Sequence, residues 1–239
     1  MSNSANTQQA EDPMSYLYTK NFHCPVCDNE FMDFMIRRSK LRALDTQSDL
    51  RTIYASIDPN LYEVLLCNYC GYAALHSTFS RISSRQQDMV KEKITPKHKY
   101  VEFSVPLTPA DALARFKLAL ACCQAIDAKA SAKAIICWKM AWIYRDAKDQ
   151  KSELTLLKIA FTGLKEAYTT EDFPLGNLDE HTTKFVIAEL ARRLGEYDEC
   201  LRFLGELIVS RATPPRIKNR AQDMREALRA EREGAAPSS

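Results

Sequence analysis

Residues Cys24-Pro25-Val26-Cys27 and Cys67-Asn68-Tyr69-Cys70, the second pair followed by Gly71, decide how this chain is read. Two residues between cysteines let one tight turn aim both sulfurs at a single ion. Two such turns supply four thiolates, the tetrahedral set that Zn2+ favours in closed structural sites. Gly71 stands where a knuckle needs a backbone conformation costly for other residues. Cys24, Cys27, Cys67 and Cys70 are therefore the expected ligands of one Zn2+, in a ribbon with a long insert between its halves. The same ligand set suits iron, and the spacing alone leaves iron open. Zinc is preferred because nothing else in the chain suggests electron transfer. A thioredoxin-like redox pair would need a βαβ setting and usually a single C-x-x-C. A closed four-thiolate site has no free coordination position, so it stabilises a small fold and does no chemistry.

Moving outward, the flanks of the cysteines alternate as strands do. Tyr16-Leu17-Tyr18 leads through Phe22 into the first knuckle, Glu30 to Ile36 follows it, and Leu61 to Leu66 runs into the second. The middle, Ser39 to Asn60, is polar and ends in the turn signal Asp58-Pro59-Asn60. Near residue 75 the period changes to that of helices. Leu75, Phe79, Ile82 and Met89 suggest a connecting helix that stops before Thr95-Pro96, and residues 100–106 look extended. Thr108-Pro109-Ala110-Asp111 is a helix start, with a cap, a proline at the first position and an acid three residues on.

Six apolar stripes follow. They are Leu113, Phe116, Leu120, Cys123; then Ile135, Trp138, Trp142; then Leu154, Leu157, Phe161, Leu164, Tyr168. The last three are Ile187, Leu190, Ala191, Leu194; then Tyr197, Cys200 or Leu201, Leu204, Ile208; and, after Pro214-Pro215, Ile217, Ala221, Met224, Leu228. Asn177 with Glu180 repeats the capping pattern before the fourth. Steps of three or four give each helix one buried face, and the short breaks predict antiparallel pairs. Gly195-Glu196-Tyr197 with Cys200, Leu204 and Leu207 resembles the second helix of a tetratricopeptide repeat. The expected fold is thus a small β-rich zinc ribbon followed by an all-α helical-hairpin array, tetratricopeptide-like but degenerate. The expected boundaries are a disordered tail at 1–13, the ribbon at 14–75, a connecting helix and extended linker at 76–107, the helical domain at 108–232, and a second tail at 233–239.

These residues together resemble an uncharacterised bacterial family, the domain-of-unknown-function 2225 family. The resemblance is carried by Cys24-Pro25-Val26-Cys27 with Phe31, Arg37 with Ser39, Asp45, Asp49, Tyr54, Pro59 and Tyr62, and Cys67 through Ala73. It extends into the helices through residues 114–119 and 141–145. It implies a bacterial zinc-ribbon-like start joined to a tetratricopeptide-like region, and no established activity.

Composition narrows the function further. The chain has 239 residues, 46% apolar and 27% charged, which excludes a wholly disordered or low-complexity chain. Its formal charge of +2 gives no global pull toward DNA or membranes. No apolar run approaches a membrane span and the start carries no secretory signal. Cys122, Cys123, Cys137 and Cys200 sit in helical stripes and read as small core residues, the usage of a reducing cytoplasm. Trp138 and Trp142 could line a peptide groove but read better as core. His23 beside Cys24 reads as a bystander, and Asp45, Asp49 and Tyr54 as groups that cap the insert rather than a site. No nucleophile, base and orienter can be assembled, so no enzyme is expected. The leading expectation is a zinc-binding adaptor whose helical array holds a protein or peptide. The alternatives are nucleic-acid binding through the basic cluster Arg37, Arg38, Lys40 and Arg42, and an iron-binding redox protein.

Overall fold

The computed structural model describes residues 12–234. Of the expected tails, residues 1–11 and 235–239 lie outside the described residues. Asp12 instead caps a 3-10 turn, Pro13–Tyr16, by accepting the Met14 N–H. The chain divides into two compact units, Met1–Gln47 with Thr52–Ala119, and Ser48–Arg51 with Leu120–Ser239.

The first unit is built on three antiparallel hairpins. Strand β1 (Leu17–His23) pairs with β2 (Glu30–Ile36) in unbroken register from Leu17↔Ile36 to His23↔Glu30. Strand β3 (Ala43–Thr46) pairs with β4 (Thr52–Tyr54) around a bulge, and β5 (Val64–Leu66) with β6 (Ala73–Leu75). A lone two-stranded ribbon is marginal in water. Here a core of Tyr16, Leu17, Ile57, Tyr62 and Leu107, flanked by Phe34, Ile36 and Phe103, supports the first hairpin. The Tyr62 hydroxyl stays satisfied inside it by accepting the Leu107 N–H at 2.9 Å.

Three local expectations are corrected. Leu75 does not open a helix: it lies opposite Val64 in the third hairpin. Residues 76–82 run as turns, and Phe79 packs its ring on those of Tyr72 and Phe31. Helix α1 (Ser84–Lys93) begins only after a reciprocal capping box between Ser83 and Gln86. The spacing of Leu75, Phe79 and Ile82 imitates a helical stripe, but only Phe79 is fully buried, in a turn, while Leu75 and Ile82 are half-buried in a strand and a loop. The polar insert also holds β3 and β4, and the turn expected at Asp58-Pro59-Asn60 runs on as a 3-10 turn, Pro59–Tyr62, so that the strand expected from Leu61 begins only at Val64.

Helix α2 (Pro109–Ala125) starts as the sequence indicates, with Thr108 and Asp111 bonding each other's backbone. The second unit continues with α3 (Ala130–Asp146), α4 (Gln150–Thr170), α5 (Glu180–Leu194), α6 (Tyr197–Val209) and α7 (Pro215–Gly234). Each of these five packs on the next, and α5 also on α7. Ile136, Ile143, Leu157, Leu164, Phe185, Leu190 and Leu204 fill the interior. Trp138 and Trp142 are buried, as a core role requires. The cap of α5 is Asp179, which accepts the Thr182 N–H at 2.7 Å, not Asn177. Gly195 ends that helix at φ +78°. Among the described residues no helix is long and apolar enough to cross a membrane.

Candidate metal centre

Each C-x-x-C is the turn of a hairpin: the first joins β1 to β2, the second β5 to β6. The two turns have the same backbone. The N–H of Asp28 donates to the Cys24 carbonyl at 3.0 Å and that of Gly71 to the Cys67 carbonyl at 2.8 Å. One step out, Cys24 N–H donates to Asn29 O and Cys67 N–H to Tyr72 O, both at 2.9 Å. Both turns end in a left-handed residue, Asp28 at φ +65° and Gly71 at +78°. Aspartate tolerates that conformation better than most side chains. Gly71 has a further constraint, since a Cβ there would lie 2.6 Å from Cγ of His98.

The second turn is braced by the segment after α1. His98 Nε2 donates to the Asn68 carbonyl at 3.0 Å, and Thr95 Oγ1 donates to the Cys70 carbonyl at 2.9 Å. The Asn68 amide exchanges bonds with the Val101 backbone in both directions. In the first turn, Asn29 Nδ2 lies 3.3 Å from Cys27 Sγ, a donor to the sulfur.

These turns bring the four sulfurs within 4.8 Å of one another. Cys24 Sγ lies 3.6 Å from Cys70 Sγ, and Cys27 Sγ 3.5 Å from Cys67 Sγ. Disulfide bonding, at about 2.05 Å, is far shorter. A tetrahedron of sulfurs about 2.3 Å from Zn2+ has edges of about 3.8 Å, so the cluster fits a tetrahedral thiolate site. The electrostatics agree. Hydrogen bonds from Cys24 and Cys70 hold the Cys67 thiol down at about 2. Its bond to Cys67 in turn pushes Cys24 up to about 12, and the bonds to Cys24 and Cys67 push Cys70 up as well. Packed this closely, Cys67 ionises readily while its neighbours Cys24 and Cys70 resist ionising. A divalent cation at their centre would let all four ionise. The cysteines can therefore hold a metal ion.

The family model described as an uncharacterized protein conserved in bacteria, DUF2225, matches residues 17–228. The chain belongs to this family. An "Uncharacterized protein" of Borreliella burgdorferi (strain ATCC 35210 / DSM 4680 / CIP 102532 / B31) is similar to it, 25% identical over 158 residues, or 58% of this chain. The chain spans 56% of the length of that relative. No solved structure matches it.

In this DUF2225 chain the other residues singled out by sequence scatter. Among the described residues no His, Asp or Glu joins the cysteines. His23 is exposed and pairs with Asp28 at 3.0 Å. In the basic cluster, Arg37 donates to the Leu17 carbonyl and lies over the Tyr18 ring, and Lys40 lies over Tyr16. Arg38 and Arg42 are exposed. Asp45, Asp49 and Tyr54 do not form one site. Asp45 accepts the neighbouring Thr46 N–H, whereas Asp49 is wholly buried in the second unit. Cys123, Cys137 and Cys200 are buried, and desolvation pushes each thiol up to about 11, as expected of inert core residues.

Sequence reasoning missed a buried ionic network in the second unit. Asp49 accepts from Trp142 Nε1 at 2.9 Å and Arg145 at 2.7 Å, and Arg145 also bonds Glu153. Glu189, wholly buried, takes Arg192, Arg193 and the Ser48 hydroxyl. Arg51 holds Asp146 and the Trp142 carbonyl. Burial alone would lower the affinity of Arg145 for its proton, but Asp49 and Glu153 more than reverse this. The available signal was Asp49 and Arg145 in the family motif and Glu189 inside an apolar stripe. A shallow groove of about 490 Å3 lies beside this network, lined by Ser48, Phe185, Arg192, Arg220 and Met224.

Proposed function

We propose that this protein is a non-enzymatic adaptor: Cys24, Cys27, Cys67 and Cys70 bind one structural Zn2+ that secures the first unit, and the helical unit recognises a protein partner. The observation that carries the metal reading is the pair of matching turns that bring four sulfurs to tetrahedral spacing. When bound, the ion would supply cross-linking and charge neutralisation. All four positions around it are taken by sulfur, which favours a structural over a catalytic role. Buried free thiols suit a reducing, cytoplasmic setting. Elemental analysis of the purified intact chain tests this: one zinc per chain supports it, while bound iron with visible colour favours a redox role.

The adaptor reading rests on helix order and spacing. Helices α3 to α7 pack in succession, and Ala188, Ala191, Cys200, Leu204 and Leu207 of α5 and α6 are buried, which supports a tetratricopeptide-like reading of that pair. We place the partner in the groove at Phe185, Arg220 and Met224. Affinity capture with the intact chain, repeated with Arg220→Glu and Met224→Ala, tests it. A defined protein lost from both variants supports the reading. Co-purification of RNA alone, or of a protein indifferent to both changes, overturns it.

A further inference from the structure

The first unit carries a second feature, independent of the metal and of the helical groove. A cavity of about 380 Å3 is lined by two consecutive runs, residues 31–34 of β2 and residues 100–105. Side chains of a strand alternate between its faces, so a cavity touching every residue from 31 to 34 runs along the strand's edge, not over one face. The opposite bank, 100–105, is in no strand.

That edge is open. Among the described residues β2 pairs with β1 only. The phase of the ladder follows from the bonds at its two ends, Arg37 N–H to Tyr16 O and Cys24 N–H to Asn29 O. Both belong to the same bonded register, so residues 31, 33 and 35 face β1 and the backbone groups of Met32 and Phe34 point away from it. The Phe34 N–H turns to the Asp33 carboxylate. The Met32 N–H and the Met32 and Phe34 carbonyls have no strand opposite them.

The slot is also apolar at its rim and polar at its floor. Of the twelve most exposed large apolar side chains among the described residues, five line it: Met32, Tyr69, Tyr100, Val101 and Val105. Met32 is 73% exposed and Tyr100 75%. At the floor lies Arg115, its side chain only 5% exposed and ion-paired with Asp33. Its Nε–H has no partner among the described residues and is itself shut off from solvent. Because Asp33 already neutralises Arg115 and Glu102 stands at the rim, the slot does not favour a polyanion.

We propose that this slot binds an extended, apolar peptide of a partner protein, which adds its backbone to the open edge of β2 at Met32 and Phe34 and lays an aromatic side chain against Tyr69 and Tyr100. Four residues of β2 offer roughly 10 Å of edge, enough for three or four peptide residues. The mode is strand addition, in which main-chain bonds give affinity and alternate side chains give selectivity.

The test is selection of decapeptides from a random phage-displayed library on the full chain, followed by fluorescence anisotropy with the synthetic peptides. Enriched sequences should alternate apolar residues and include an aromatic one. Tyr100→Ala and Met32→Asp, both at exposed positions, should each weaken binding at least tenfold without changing the melting curve. Methylating alternate peptide nitrogens should abolish binding in one phase and spare it in the other. No convergent sequence, binding indifferent to both variants, or equal tolerance of both methylation phases would overturn the proposal.

Discussion

In the first unit the strands are three to seven residues long and pair only two by two. In the second, α3 to α7 run thirteen to twenty-one residues, and each buries a continuous apolar face. The helices close their backbone hydrogen bonds within themselves and need only packing against neighbours. The hairpins leave edges open and have a small core, so four convergent sulfurs take over what area burial does elsewhere. The difference teaches where each unit is vulnerable: the first to loss of a ligand, the second to loss of an interior contact.

The largest expected effect follows from that contrast. With the proposed Zn2+ in place, stripping it with a chelator, or replacing Cys67 by Ser, should unfold the first unit, since structural zinc sites supply about 10 kcal/mol or more. The helical unit should persist. Far-ultraviolet circular dichroism should keep most of its helical signal, while amide exchange accelerates across β1, β2, β5 and β6. Equal exchange changes in α4 and α5 would break the comparison.

The second unit has its own counterpart in Asp49. Its carboxylate satisfies Trp142 and Arg145 in the interior. Asp49→Ala takes away the acceptor of Trp142 and one of the carboxylates that Arg145 holds, and breaking a buried pair from one side costs about 3–5 kcal/mol. Urea unfolding of the helical transition should report that loss, with metal content unchanged. A metal-linked loss would mean that the two units are not separately vulnerable.

What the sequence disclosed follows the same division. The cysteine pairs were legible because ligand chemistry ties residue type to spacing, and Gly71 because its conformation excludes most side chains. The helical stripes of α2 to α7 were legible because a 3.6-residue period repeats many times. Leu75 and Phe79 misled because three or four apolar residues cannot separate a helix from a hairpin followed by turns. Strands β3 and β4 were hidden because their residues are half-buried or exposed, leaving no alternation to read. The ion pairs of Asp49, Arg145, Glu153 and Glu189 were illegible for another reason. Charged residues carry no period, and the partners that bury them, Trp142 and Arg145 for Asp49 and Ser48 for Glu189, lie 93 to 141 residues away.

The finest comparison uses one glycine from each unit. Gly71 and Gly195 share φ +78°, so alanine at either meets the same backbone penalty, about 1–2 kcal/mol. Around Gly195 nothing lies within 4 Å of a new methyl group, and Gly195→Ala should cost that penalty alone. At Gly71 the methyl group would meet the His98 ring, which is itself bonded to the Asn68 carbonyl. Gly71→Ala should therefore cost about 1 kcal/mol more than Gly195→Ala, the range of overpacking. Adding His98→Ala should recover part of that excess at Gly71 and nothing at Gly195. Thermal melts of the single and double variants measure both differences. Equal losses at the two glycines would mean that the His98 brace yields freely, and that the second cysteine turn is held by its sulfurs alone.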